Sequence, residues 1–229
     1  MLNQPVQQIQ VGAPVPAAPR SQFVSPVVSR AKFDREVAVF RSREDAQRAR
    51  GVLLLKADFP SVLLAFAATR LKPAPLAFAV KIDFTNYDVE PPSIQFVDPF
   101  SGLPLRMKEI TALFQRQLKP GTPVGPNGEP AVPPVLENFL VTYGPDDFPF
   151  ICLPGVYEYH QHAAHTGNNW LLHRGLGEGR LGFLVDTLHK YGVAGIAAYA
   201  PQISIGFNGA NQLTVNFGQY SLAYDHHPA

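Results

Sequence analysis

The sequence predicts an α+β fold built from an N-terminal helix, an antiparallel four-strand meander, a crossing helix and an extra C-terminal hairpin. Three observations carry that expectation. A charged stretch over residues 30–50 has apolar residues at helical spacing. Four apolar runs follow it, separated by short breaks containing proline. A second helical pattern appears late, at residues 179–191, ahead of alternating residues around an Asn-Gly pair.

The elements follow in order. Phe33, Val37 and Phe40 mark the buried face of the first helix, with Ser29 as its cap and Gly51 as its stop. Val52 to Ala57, Ser61 to Leu71, Pro75 to Phe84 and Ser93 to Val97 read as the meander. Pro91 and Pro92 hold the last connection extended and keep it out of a central strand. Met107 to Leu118 reads as a short helix, and Glu137 to Tyr143 as a short apolar run. Between them, Lys119 to Pro134 is a long Pro/Gly loop. Leu181, Leu184, Val185 and Leu188 define the crossing helix, which Gly192 stops. The first 29 residues, rich in Pro, Ala, Val and Gln, read as a flexible arm.

Bulk composition narrows the class. With 229 residues, 46% of them hydrophobic, the chain has enough apolar surface for one domain core. A net charge of +1 offers no field that would favour nucleic acid or an anionic membrane. No apolar run is long enough to span a bilayer, and the start lacks the pattern of a signal peptide. A single cysteine forms no internal disulfide, so a reducing cytoplasm is the default compartment.

Chemistry concentrates in FICLPGVYEYHQHAAH, residues 150–165, which holds Cys152, Glu158, His160, His162 and His165. Two chemistries compete. If the segment is extended, residues two apart share a face, and Glu158, His160 and His162 join Cys152 as four ligands of types zinc accepts. If the thiol is free, it is a nucleophile with a titratable flank and needs no cofactor. The plain reading of the histidines is a polar rim, and that of the thiol a small buried hydrophobe. Trp170, Tyr87 and the Pro-Pro pair read as structural, and His173 and His189 as surface residues. The terminal His226-His227 pair is too short to be a site. Gly175-Leu176-Gly177-Glu178-Gly179 has the wrong spacing for a nucleotide loop and no strand leading into it.

The order of motifs resembles the ubiquitin-conjugating enzyme superfamily. VKIDFTNYDVEPPSIQF places Tyr87, Pro91 and Pro92 where that family has a Tyr and a Pro-Pro pair. Ile151-Cys152-Leu153 matches its catalytic thiol, and Trp170 precedes a helix as in the family. The family's upstream His-Pro-Asn motif has no counterpart, since VTYGPDDFPFIC carries no Asn. The chain is also similar to a bacterial group of such folds, encoded beside ubiquitin-like proteins, with a predicted metal-binding Cys/Glu/His/His pattern.

The resemblance implies a ubiquitin-conjugating-like domain over 30–192, with the arm at 1–29 before it and a hairpin extension at 193–229 packing on it. It implies a thioester on Cys152, with a ubiquitin-like protein and its activating enzyme as partners. His160, His162 or His165 would tune the thiol or relay protons. Asp146 or Asp147 would help deprotonate an attacking amine, and Asn168 or Asn169 would supply the oxyanion donor. The alternative it implies is a non-catalytic zinc module with Cys152, Glu158, His160 and His162 as ligands.

Overall fold

The computed structural model describes residues 20–119, 121–122, 131–165, 167–208 and 212–224. Most of the arm, most of the Pro/Gly loop, the Asn-Gly turn and the terminal histidine pair lie outside the described residues.

Helix α1 (Pro26–Arg41) begins four residues before the expected start. Pro26 occupies the first turn, where its fixed φ suits a helix and its missing N–H costs nothing. Ser29 is therefore not the cap but a buried member of the inner face, with Phe33, Glu36, Val37 and Phe40. The expected single helix also breaks at Ser42, whose hydroxyl donates to the Val39 carbonyl at 2.7 Å and competes with the helical ladder. Helix α2 (Glu44–Ala49) follows. Gly51 then turns the chain at φ +91°, where a Cβ would lie 2.1 Å from the Ala67 carbonyl oxygen.

Strands β1 (Val52–Asp58), β2 (Ser61–Ala67), β3 (Leu76–Asp83) and β4 (Ser93–Phe96) form one antiparallel meander in sequence order. Register pairs Leu64 with Val80 and Val80 with Phe96, so buried residues line one face. Phe66 and Phe78 stack at 4.6 Å, and Phe114 meets Phe78 and Phe96 edge-on at 5.0 and 5.3 Å. Burying each such ring contributes roughly 1.5–3 kcal/mol.

Residues 107–118 do not form the expected helix. One 3-10 turn, Met107–Glu109, gives way to extended chain and to β5 (Gln115–Lys119), paired with β6 (Val135–Asn138). The period explains it: Ala112 and Phe114 are buried while Leu113 is 42% exposed, an alternation of two instead of a helical stripe. The run at 137–143 divides between β6 and β7 (Leu140–Val141), which pairs with β8 (Phe150–Ile151). Two short helices follow, α3 (Tyr157–Gln161) and α4 (Trp170–His173).

Helix α5 (Leu181–Gly192) buries Leu181, Leu184, Val185 and Leu188 against the sheet-side core that α1 also covers. The Glu36 carboxylate on α1 accepts the Leu181 amide at 3.1 Å, so one helix caps the other. Trp170 is buried, and its indole N–H donates to the Asp88 carbonyl at 2.9 Å. Strands β9 (Ile196–Asn208) and β10 (Gln212–Tyr224) make a separate two-stranded ribbon. Its base packs on the core through Ile196 and Tyr224, while residues 201–206 are exposed. No helix among the described residues is long and apolar enough to cross a membrane.

Candidate functional site

Ile151 points into the core, so its neighbours Phe150 and Cys152 face outward and are half-buried. The Cys152 amide donates to the Phe139 carbonyl at 2.8 Å, which holds the thiol just past the end of β8. The chain then turns at Gly155, where a Cβ would fall 2.1 Å from the Glu178 carbonyl oxygen. That close approach fixes the angle at which α3 leaves.

Beyond α3, a 3-10 turn at Ala163–His165 swings His165 back over the thiol. Cys152 Sγ and His165 Nε2 lie 3.1 Å apart. The Tyr159 ring stacks on the His165 ring at 3.8 Å and 19°. Asn168 donates its amide to the Tyr159 hydroxyl at 2.7 Å, and its side-chain oxygen meets His173 Nε2 at 2.6 Å. His173 Nδ1 approaches Glu178 to 2.6 Å without hydrogen-bond alignment. His173 is thus part of a polar chain behind the thiol and not the surface residue its sequence position suggested. His189 is likewise engaged, with its Nε2 3.0 Å from the Arg50 carbonyl.

Burial pushes the Cys152 thiol above its ordinary pKa, and the Glu137 carboxylate adds to the rise. Desolvation holds His165 below its usual value, and positive charge on His162 or His160 would lower it further. Both shifts disfavour charge, which favours a neutral thiol beside a neutral imidazole over a thiolate–imidazolium pair. A neutral imidazole at that distance has a lone pair with which it can accept the thiol proton.

The proposed zinc ligands do not meet. The segment carrying them is helical, not extended, so residues two apart point about 200° away from each other. Glu158 turns inward to the Ser93 hydroxyl and, at 3.4 Å, the Ile94 amide. His160 places its two ring nitrogens 2.5 Å from the Pro154 carbonyl and 2.8 Å from the Asn168 carbonyl. His162 accepts the Ala164 amide and packs its ring against Phe150 and Tyr143. Among the described residues, no three His, Cys, Asp or Glu side chains gather as a metal-holding group. The set does not fit a zinc ion.

The other candidates separate as well. Asp146 pairs with Lys108 at 2.5 Å on the surface, and that lysine holds its carboxyl below the usual range. Asp147 contributes its carbonyl to the Met107 amide. Asn169 caps α4 by accepting the Leu171 amide at 2.9 Å. Tyr159, which orients His165, and Arg20, which lies in the region expected to be a loose arm, were not visible as site residues.

Comparison with known proteins adds a family. The Y4jH-like family matches residues 24–196, a span that includes the thiol, His165 and the chain behind them. A relative named "Uncharacterized protein y4jH", from Sinorhizobium fredii (strain NBRC 101917 / NGR234), is 45% identical over 179 residues. The aligned region covers 76% of this chain and 86% of that protein. The chain belongs to the Y4jH-like family.

Proposed function

We propose that the protein is a ubiquitin-conjugating-like carrier that accepts a ubiquitin-like C-terminus as a thioester on Cys152 and passes it on. The observation that carries this reading is the half-buried thiol with His165 Nε2 at 3.1 Å, on a β-hairpin that follows a helix and a four-strand meander. The outward-facing thiol, with no group of three ligand-type side chains gathered at it among the described residues, supports it over a ligand role.

In the loading step, His165 takes the thiol proton as Cys152 sulfur attacks the carbonyl carbon of the incoming thioester. The activating enzyme's sulfur leaves and recovers a proton. In the discharge step, an amine attacks the Cys152 thioester, the new amide forms, and the proton released by the amine returns to the Cys152 sulfur through His165. Asn168 has its amide committed to Tyr159, so its role is to fix the ring that supports His165.

The test offers the purified chain a ubiquitin-like protein activated as a C-terminal thioester. A thiol-sensitive adduct on the native chain, a thiol-resistant ester on Cys152→Ser and none on Cys152→Ala are expected. A chain whose Cys152 alkylates freely but takes no adduct overturns the reading.

A further inference from the structure

The ribbon of β9 and β10 begins where the family match ends, at Ile196. Among the described residues its two strands pair only with each other. A two-stranded ribbon is marginal in water unless a further layer covers it. The core supplies that cover at the base, through Ile196 and Tyr224. Between Phe217 and Tyr220 the register shifts, and toward the turn from that bulge residues 202–206 are exposed.

The projecting end has two unlike faces. Along β9, Ile203 and Ile205 alternate with Gln202 and Ser204. The register sets Val215 of β10 directly across from Ile205, which puts the two on one face. Ile203, Ile205 and Val215 are 52%, 63% and 42% exposed. The sequence extends the same alternation, with Phe207, Leu213 and Phe217 at the apolar positions and Gln212, Thr214 and Asn216 between them.

Charge says what can cover the apolar face. No residue from Ile196 to Tyr224 is charged, so all 19 Lys and Arg and all 18 Asp and Glu lie elsewhere in the chain. A partner with an ordinary charged surface would bury its charges against Ile203, Ile205 and Val215 with no counter-charge to receive them. A twofold contact sets a further condition, because each residue near the axis meets its own copy, and a charge there would meet itself. A second copy of this ribbon satisfies both conditions. Its length also suffices: the eight residues 201–208 span about 27 Å at strand rise. Two such strips laid face to face bury on the order of 1,000 Å2 in total, the lower end for a specific interface, which makes the contact reversible.

We propose that two copies of the chain associate through the apolar faces of their C-terminal ribbons, which stack about a twofold axis as two β layers about 10 Å apart. The polar faces, with Gln202 and Ser204, stay in water. The association does not depend on the carrier reading.

The test is sedimentation velocity of the full chain from about 1 μM to about 500 μM, a range that brackets the affinity of a small interface. A reversible, concentration-dependent monomer–dimer equilibrium is expected. Ile205→Lys places a charge on the apolar face of both copies and should raise the dissociation constant by roughly tenfold or more. Val215→Thr keeps the β-branched shape and adds a hydroxyl to the same face, so it should weaken the dimer severalfold without threatening the fold. Ser204→Lys puts the same charge on the opposite face and should leave the dimer within about twofold of native. A chain that stays monomeric across the range overturns the proposal. So does a dimer that both Ile205→Lys and Val215→Thr leave at native affinity, which would place the contact on another surface. Growth beyond the dimer overturns it too, since open-ended assembly would mean pairing through the strand edges instead of the faces.

Discussion

Replacing His165 with Asn is the most informative perturbation of the site. It removes the nitrogen 3.1 Å from the thiol and keeps a polar side chain of smaller size. A positioned general base contributes roughly 10²–10⁴ in rate. His165 is oriented by stacking on Tyr159, a looser constraint than a charged hydrogen-bond partner, which points to the low end of that range. A loss of about 10²-fold in thioester transfer at neutral pH is expected, which corresponds to about 2.7 kcal/mol of barrier. The neutral resting pair adds a second expectation. Alkylation of native Cys152 by iodoacetamide should follow one ionisation above the ordinary thiol value, with no reactive plateau at acid pH. At a pH where the thiol is already ionised, native protein and His165→Asn should alkylate within about twofold of each other, because no base is then required. A transfer rate in His165→Asn equal to native at neutral pH would refute the base role. An acid plateau in the native profile would refute the neutral pair, since it would reveal a thiolate–imidazolium pair.

Three further predictions follow from the same geometry. Glu137→Gln removes the negative charge that helps hold the thiol up, so alkylation at a fixed pH below the thiol's pKa should accelerate. Glu36→Ala leaves the buried Leu181 amide without its acceptor and should cost about 1–3 kcal/mol, read as a lowered denaturation midpoint at unchanged m-value. Glu158 has a folded-state pKa raised by burial, so its contribution to stability is fully present below the unfolded carboxyl value of about 4.3 and is lost as pH rises through the raised value. In denaturation curves across that window, Glu158→Gln should lose this decline while the native chain keeps it.

The sheet was legible because each strand carries its own record. Val62, Leu64 and Phe66 on one strand and Val80 and Ile82 on the next repeat at the period of a pleat, and proline or glycine interrupts the runs where the chain turns. The crossing helix was equally plain, since Leu181, Leu184, Val185 and Leu188 fall on one stripe. Residues 107–118 misled because Met, Lys, Glu, Leu and Gln all favour helices, while the burial of Ala112 and Phe114 is imposed by the distant Phe78 and Phe96. Cys152 and His165 were both named from the sequence, but which of the three histidines meets the thiol was not. The sequence EYHQH is too short for its pattern to tell a strand from a helical turn, and the Tyr157 amide that opens α3 donates to the Pro92 carbonyl at 2.8 Å. The choice of His165 over His160 and His162 depends on a return turn that leaves no periodic trace.

The segment Ser21–Val24 is pinned to Asn86, and this bears on how the protein is made. Asn86 accepts the amides of Phe23 and Val24 at 2.9 and 3.0 Å and donates to the Ser21 carbonyl at 2.9 Å, which pins the segment that ends in Arg20. The amino end of the domain thus has an anchor, Asn86, that leaves the ribosome early. The ring Arg20 finally lies on, Tyr157, emerges far later. The partners of the segment other than Tyr157, Asn86 and Glu90 among them, thus precede α3 in the chain and can be met before it is made. The contact of Arg20 with Tyr157 is therefore a seam between an earlier and a much later part of the chain.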